Sequence, residues 1–128
     1  MRNYLPKKHK EYLMPRSLYL RVLGTVRDYD RLIESRDDIF NGNKLTAGAP
    51  YQKLGGRPTE SRGITLALIE KDIDAIEQAL FLVPEEYRQY VFDNVRYGWR
   101  FPSIAARNTW SKWRMYFLFQ VAKNLNLL

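Results

Sequence analysis

From Trp99 to Leu128 the chain carries five basic residues and no acidic one. Three of the five, Arg107, Lys112 and Arg114, lie in the opening half of residues 107–125, whose spacing predicts a single helix. Trp110, Trp113, Phe117, Val121, Asn124 and Leu128 recur at steps of three and four, and only Asn124 interrupts the apolar stripe. Asn108 and Thr109 are both N-cap types, because a side-chain oxygen there accepts from a free N–H of the first turn. Asn108, Ser111 and Lys112 share the opposite side, with Arg107 and Arg114 at its edges. Farther along, Met115, Tyr116 and Phe119 turn that side apolar, so the helix starts with one wet face and ends buried nearly all round. A helix N-terminus is partially positive, and acids there stabilise by about 0.3–1 kcal/mol each while bases do the reverse. Cations and small polar groups gathered at such an end make an anion site, and nucleic-acid phosphate is its commonest occupant. A solvated basic face on a C-terminal core helix gives the same pattern.

The elements that must position this tip belong to a chain of 128 residues, enough for one domain with a modest core. It is 45% hydrophobic and 14% aromatic, hence globular. A formal charge of +7 favours a nucleic-acid or anionic-surface partner. The absence of cysteine excludes disulfides and thiolate metal sites. No apolar run approaches the ~20 residues of a membrane span, and no signal-peptide core follows the basic start. The expectation is a soluble, cytoplasmic protein without a membrane role.

Residues 1–15 form a basic arm, with Arg2, Lys7, Lys8 and Lys10 against Glu11. A long helix is expected from Pro15 or Arg16 to about Phe40, its inner seam being Leu18, Val22, Val26, Tyr29 and Ile33. Gly24 inside it costs about 1 kcal/mol relative to Ala, which suggests a close helix contact. Residues 41–63 hold five glycines and two prolines and read as a loop. Within it, Gly56-Arg57-Pro58 resembles the minor-groove core of an AT-hook, though a mobile linker fits as well. The next helix begins at Thr59, Glu60 or Ser61 and runs to about Leu82, with Leu66, Ile69, Ile73, Ile76 and Leu80 as its seam. The two seams match in length, so an antiparallel hairpin is the economical packing. Residues 64–83 carry one lysine against four acids, a net −3, while 99–128 carry +5. Such polarity would turn the basic end toward DNA.

Pro84, followed by Glu85 and Glu86, starts a third helix in accord with its dipole. Tyr87, Val91, Phe92 and Val95 form its inner face, and Gly98 closes it as a left-handed cap. Pro102 can open one or two further turns with Ile104 and Ala105 inside, and a turn at 107–109 would lead into the last helix. That order is a helix-turn-helix. Trp99, Trp110 and Trp113 surround this unit, and cementing a small C-terminal core is a sufficient role for them.

Enzymatic chemistry finds little support. No phosphate-loop, dinucleotide or zinc spacing occurs, and His9 is the only histidine. Asp28, Asp30, Glu34, Asp37 and Asp38 read as dispersed acids on a solvent face. No cofactor is expected.

Three stretches carry a family resemblance. They are Val83-Pro84-Glu85-Glu86-Tyr87-Arg88, then Val91-Phe92-Asp93-Asn94-Val95 with Tyr97-Gly98, then Arg107-Asn108-Thr109-Trp110-Ser111-Lys112-Trp113-Arg114. Together they resemble phage and prophage late-gene transcription regulators of the RinA/ArpU kind. Leu18-Tyr19-Leu20-Arg21 and Arg27-Asp28-Tyr29-Asp30-Arg31 fit a divergent Firmicutes prophage subgroup. The resemblance covers most of residues 16–128 and omits the arm and the loop. In that family the C-terminal part is similar to DNA-binding region four of sigma factors. The resemblance therefore implies Thr109, Ser111, Lys112 and Arg114 in a major groove, with Asn108 at the cap. The segment joining the last two helices is several residues shorter here than in typical members.

The expectation is an all-α protein: a long antiparallel hairpin over 16–83 and a compact helix-turn-helix-like unit over 84–128. It would bind double-stranded DNA as a prophage transcription regulator. Ser111 and Lys112 would face base edges, while Arg100, Arg107 and Arg114 would hold phosphates. A homodimer is compatible with this reading. The alternative is a phage-encoded protein-interaction module, docking on RNA polymerase or a host-defence partner through Met115, Tyr116 and Phe119.

Overall fold

The computed structural model describes residues 11–42 and 58–128, with side chains from Gly63 onward in the second stretch. The basic arm up to Lys10, residues 43–57 and the Arg57 of the hook-like motif lie outside the described residues. Five helices and no strand make up the described chain: α1 (Arg16–Arg27), α2 (Tyr29–Phe40), α3 (Pro58–Phe81), α4 (Glu85–Tyr97) and α5 (Arg107–Asn124).

The long first helix is split in two at Asp28. Three local features converge there. Gly24 weakens the turn, and Thr25 Oγ1 donates back to the Arg21 carbonyl at 3.1 Å, a bond that bends helices. The Asp28 N–H is then shared between the Gly24 and Thr25 carbonyls at 3.1 and 3.2 Å, tightening the last turn. The Asp28 carboxylate grips Arg31 in the next helix.

The split redistributes the packing. α2 pairs with α3, and Tyr29 at the start of α2 meets Glu77 late in α3, so the two run antiparallel. α1 instead packs on α4 and α5. The main core draws Val22 and Val26 from α1, Ile76 and Ala79 from α3, Val91 and Val95 from α4, and Phe117, Leu118 and Val121 from α5. A smaller core of Leu32, Ile69 and Ile73 fills the hairpin beyond it. Tyr29 touches both, setting its ring edge-on to Phe92 with centroids 5.0 Å apart. Ile69, Ile73 and Ile76 are completely buried, as their spacing requires.

Helix ends follow from identifiable residues. Pro84 caps α4, with Glu85 and Glu86 in its first turn and Gly98 at φ 71° closing it. Arg88 turns back on the end of α3, donating to the carbonyls of Leu80, Phe81 and Val83 at 3.0–3.2 Å. It thereby satisfies acceptors that a helix C-terminus leaves open. α5 ends in a left-handed Asn126, and Leu127 N–H returns to the Ala122 carbonyl at 2.9 Å.

Gly24 does not serve a close helix contact. A Cβ built there meets nothing within 4 Å. Gly24→Ala should therefore stabilise the protein by about 0.4–1 kcal/mol, through helix propensity and a less disordered unfolded chain. Chemical denaturation would show a higher midpoint with an unchanged slope; a lower midpoint would mean that the joint at Asp28 needs the glycine.

Tyr29 also predicts a pH response. Burial, and then the hydrogen bond its hydroxyl donates to Glu77 at 2.6 Å, push its pKa from 10.0 up to about 12. The folded state then holds a proton that the unfolded state has lost, so this contribution is complete below pH 10 and disappears as pH rises toward 12. Tyr29→Phe should flatten that part of the alkaline decline in stability. An identical decline in both proteins between pH 10 and about 12 would refute it.

Candidate nucleic-acid interface

The last helix is the centre of the molecule and its N-terminus is at the surface. α5 packs against α1, α3 and α4, and Met115, Phe117, Leu118, Val121 and Ala122 form its buried face. Ala106, Arg107 and Asn108 are exposed. The first turn holds no acid. Among the described residues, neither Arg100 nor Arg107 makes an ion pair or a side-chain hydrogen bond; the ion pairs involve Arg31, Arg36 and Arg96.

Asn108 and Thr109 do not cap the helix. The N-cap is Ala106, extended at φ −69° and ψ 153°, without a side-chain capping hydrogen bond. The cap sits earlier because residues 98–106 are pinned onto α5 rather than coiled into a helix of their own. Phe101 lies parallel on Trp110, with ring centroids 4.7 Å apart and planes 4° off parallel. Trp110 Nε1 donates to the Pro102 carbonyl at 3.1 Å, occupying an acceptor that a helix starting there would use. The short helix expected at Pro102 is therefore replaced by turns and bends. Ile104, expected inside, is 66% exposed. The first helix of a helix-turn-helix is absent, and α4 and α5 are joined by a stacked loop.

Arg114 belongs to the interior architecture. Its Nε donates to Asn94 Oδ1 at 2.9 Å and its Nη1 to the Tyr19 hydroxyl at 2.7 Å. It ties α5 to α4 and α1, so it stands apart from the residues at the tip. Asn94 in turn donates through Nδ2 to the Trp99 carbonyl at 2.7 Å, fixing the start of the loop. The sequence offered no signal for Asn94, whose role exists only because residues 19, 94, 99 and 114 meet in space.

Thr109, Ser111 and Lys112 are half-exposed. Lys112 lays its ammonium over the Trp113 ring at 4.7 Å, a placement that leaves the charge at the surface. A cleft of about 440 Å³ opens between the end of α4 and the start of α5, lined by Asn94, Arg100, Phe101, Ser103, Arg107 and Trp110. The structure thus gathers Arg100 and Arg107 on one cleft and sets Asn108, Ser111 and Lys112 on the adjoining turns of α5. Its aromatic floor and cationic wall suit an anion carried on a flat or apolar frame.

The tryptophans divide. Trp110 is buried, and Trp113 is half-buried against Tyr87 and Tyr116. Trp99 is 60% exposed and lies outside the core. The apolar side at Met115, Tyr116 and Phe119 is not open either: Met115 is buried, and Tyr12 covers the other two rings at 5.2 and 5.7 Å. Among the described residues no helix is long and apolar enough to cross a membrane. In comparisons with protein-family models, with curated proteins and with solved structures, no match to this chain is found.

Proposed function

We propose that this protein binds double-stranded DNA and acts as a transcription regulator of the prophage kind that its sequence resembles. One observation carries the reading: exposed Arg100 and Arg107, without carboxylate partners among the described residues, share a cleft at the acid-free start of α5. Two cations without carboxylate partners, gathered on one cleft, supply the charge a phosphate contact needs. The contact set is Arg100 and Arg107 on phosphates, with Asn108, Thr109, Ser111 and Lys112 directed at the groove. Arg114 is a positioning residue, since its hydrogen bonds to Asn94, Tyr19 and Met115 are all internal. The exposed cations lie at the start of α5, with Arg107 in its first turn and Arg100 in the loop before it, so the helix meets DNA end-on.

The charge distribution supports the orientation. Residues 64–83 are net negative and 99–128 net positive, so a duplex is repelled from the hairpin and drawn to the tip. Titration of the protein into labelled duplex at 50 and 200 mM salt tests the reading. Two to four phosphate contacts should give a log–log salt slope of roughly −2 to −4. A complex that ignores salt, or no complex at 50 mM, would remove duplex DNA as the partner and favour a protein partner.

A further inference from the structure

Trp99 is one of several large apolar side chains left exposed, with Phe81, Ile104 and Phe40, and of these it is the tryptophan next to the basic tip. Large apolar rings are normally withdrawn from water, yet this one is 60% exposed. It is not loose. Its ring leans on Tyr97, with centroids 5.1 Å apart and planes at 42°. Tyr97 is itself braced: its hydroxyl donates to Asp30, and the Arg96 guanidinium sits 4.6 Å from its ring centre. The Trp99 main chain is held by Asn94. A braced, exposed indole therefore stands between Gly98 and Arg100, two residues that line the cleft shared by Arg100 and Arg107. The nearby carboxylates, Asp30 and Asp93, are both taken up by Arg96, at 2.7 and 3.0 Å.

We propose that Trp99, backed by Tyr97, is the stacking face for an unpaired nucleobase whose flanking phosphates rest on Arg100 and Arg107. This rests on the DNA-binding reading and deepens it by naming the form of nucleic acid recognised. The chemistry is specific to an unstacked base. Within a continuous duplex both faces of every base pair are covered, so an exposed indole finds only edges and backbone. A bulged, gapped or single-stranded position offers a free π-face, and adjacent cations hold the strand on either side of it. The site therefore favours DNA that is locally open over fully paired DNA.

The test uses three oligonucleotides of one length: a continuous duplex, the same duplex with one bulged 2-aminopurine, and the single strand. The full-length protein should bind the bulged duplex roughly tenfold more tightly than the continuous one. Binding should also quench the 2-aminopurine. Trp99→Ala should abolish both the preference and the quenching, while affinity for the continuous duplex is retained. Trp99→Phe should restore part of the preference. Because Trp99 is exposed, its variants should melt with the wild-type protein, and a shared melting point confirms that folding is not the cause. Equal affinity of the wild-type protein for bulged and continuous duplexes overturns this inference alone. So does a preference that survives Trp99→Ala, which would leave the indole to a protein contact. Failure to bind any of the three removes the DNA-binding reading and this one with it.

Discussion

Reversing Arg107 and Lys112 together to glutamate should weaken duplex binding at 50 mM salt by roughly 100-fold and bring the salt slope closer to zero by about two. Each substitution removes one cation and adds one anion, so the local charge at the start of α5 changes by four units. An exposed pair of charges at contact distance is worth only about 1 kcal/mol in water, and a few such terms make up the loss. The fold should tolerate the change. Among the described residues Arg107 is exposed and makes no ion pair, and the partner of Lys112 is the Trp113 ring. Glutamate is also better suited than a base to a helix's first turns, so the melting temperature should hold or rise slightly. The diagnostic result is the pairing of lost affinity with intact stability. Wild-type affinity in the double variant would place any DNA contact elsewhere on the molecule. Arg114→Glu should behave in the opposite manner, losing stability first, because it removes the hydrogen bonds to Asn94 Oδ1 and the Tyr19 hydroxyl that tie α5 to α4 and α1.

The second large effect is structural. Arg96→Ala should destabilise the protein by about 2 kcal/mol, between the worth of a surface ion pair and that of a buried one, because Asp93 is 18% exposed but Asp30 is 55% exposed. The Arg96 side chain is only 11% exposed, and it bridges Asp30 on α2 to Asp93 on its own helix. Its guanidinium lies 3.7 Å from the centre of the Phe92 ring and 4.6 Å from that of Tyr97. Removal leaves Asp93, nearly buried, without a counter-charge and opens the space between two rings. Arg96→Lys should recover little, since an ammonium cannot bridge two carboxylates in one plane while stacking on aromatic faces. The substitution should also release Tyr97, loosening the support of Trp99. Urea unfolding measures the effect directly. A loss below about 1 kcal/mol would reduce this cluster to a surface ion pair, whose usual worth is of that size.

These two predictions fall on residues that the sequence distinguishes unequally. Arg107 and Lys112 were legible because a basic helix start with no acid over thirty residues is a local anomaly. Arg96 was not, since an arginine in the last turn of a helix is ordinary there. Ile69, Ile73 and Ile76 were legible as core, as were the Pro84 start and the Gly98 cap of α4. Each depends on interactions within about one helical turn, which the order of residues fixes almost alone. The single first helix was misread because periodicity continues across Asp28, whereas the break arises from competing hydrogen bonds at Gly24, Thr25 and Asp28.

What the sequence determined by itself is the all-α class, the core seams of α3 and α4, and the separation of an acidic hairpin from a basic end. What the tertiary structure decided is which side chains remain available at that end. Arg114 and Trp99 illustrate the point in opposite directions. The charged residue turns inward to Tyr19, 95 positions away, and the aromatic one turns outward. Side-chain type sets the free energy of being in water or out of it. Whether a partner exists to offset that free energy depends on which distant residues the fold brings alongside. Hydrophobic periodicity carries no information about such meetings, so the membership of the tip was settled only when α1, α4 and α5 packed together.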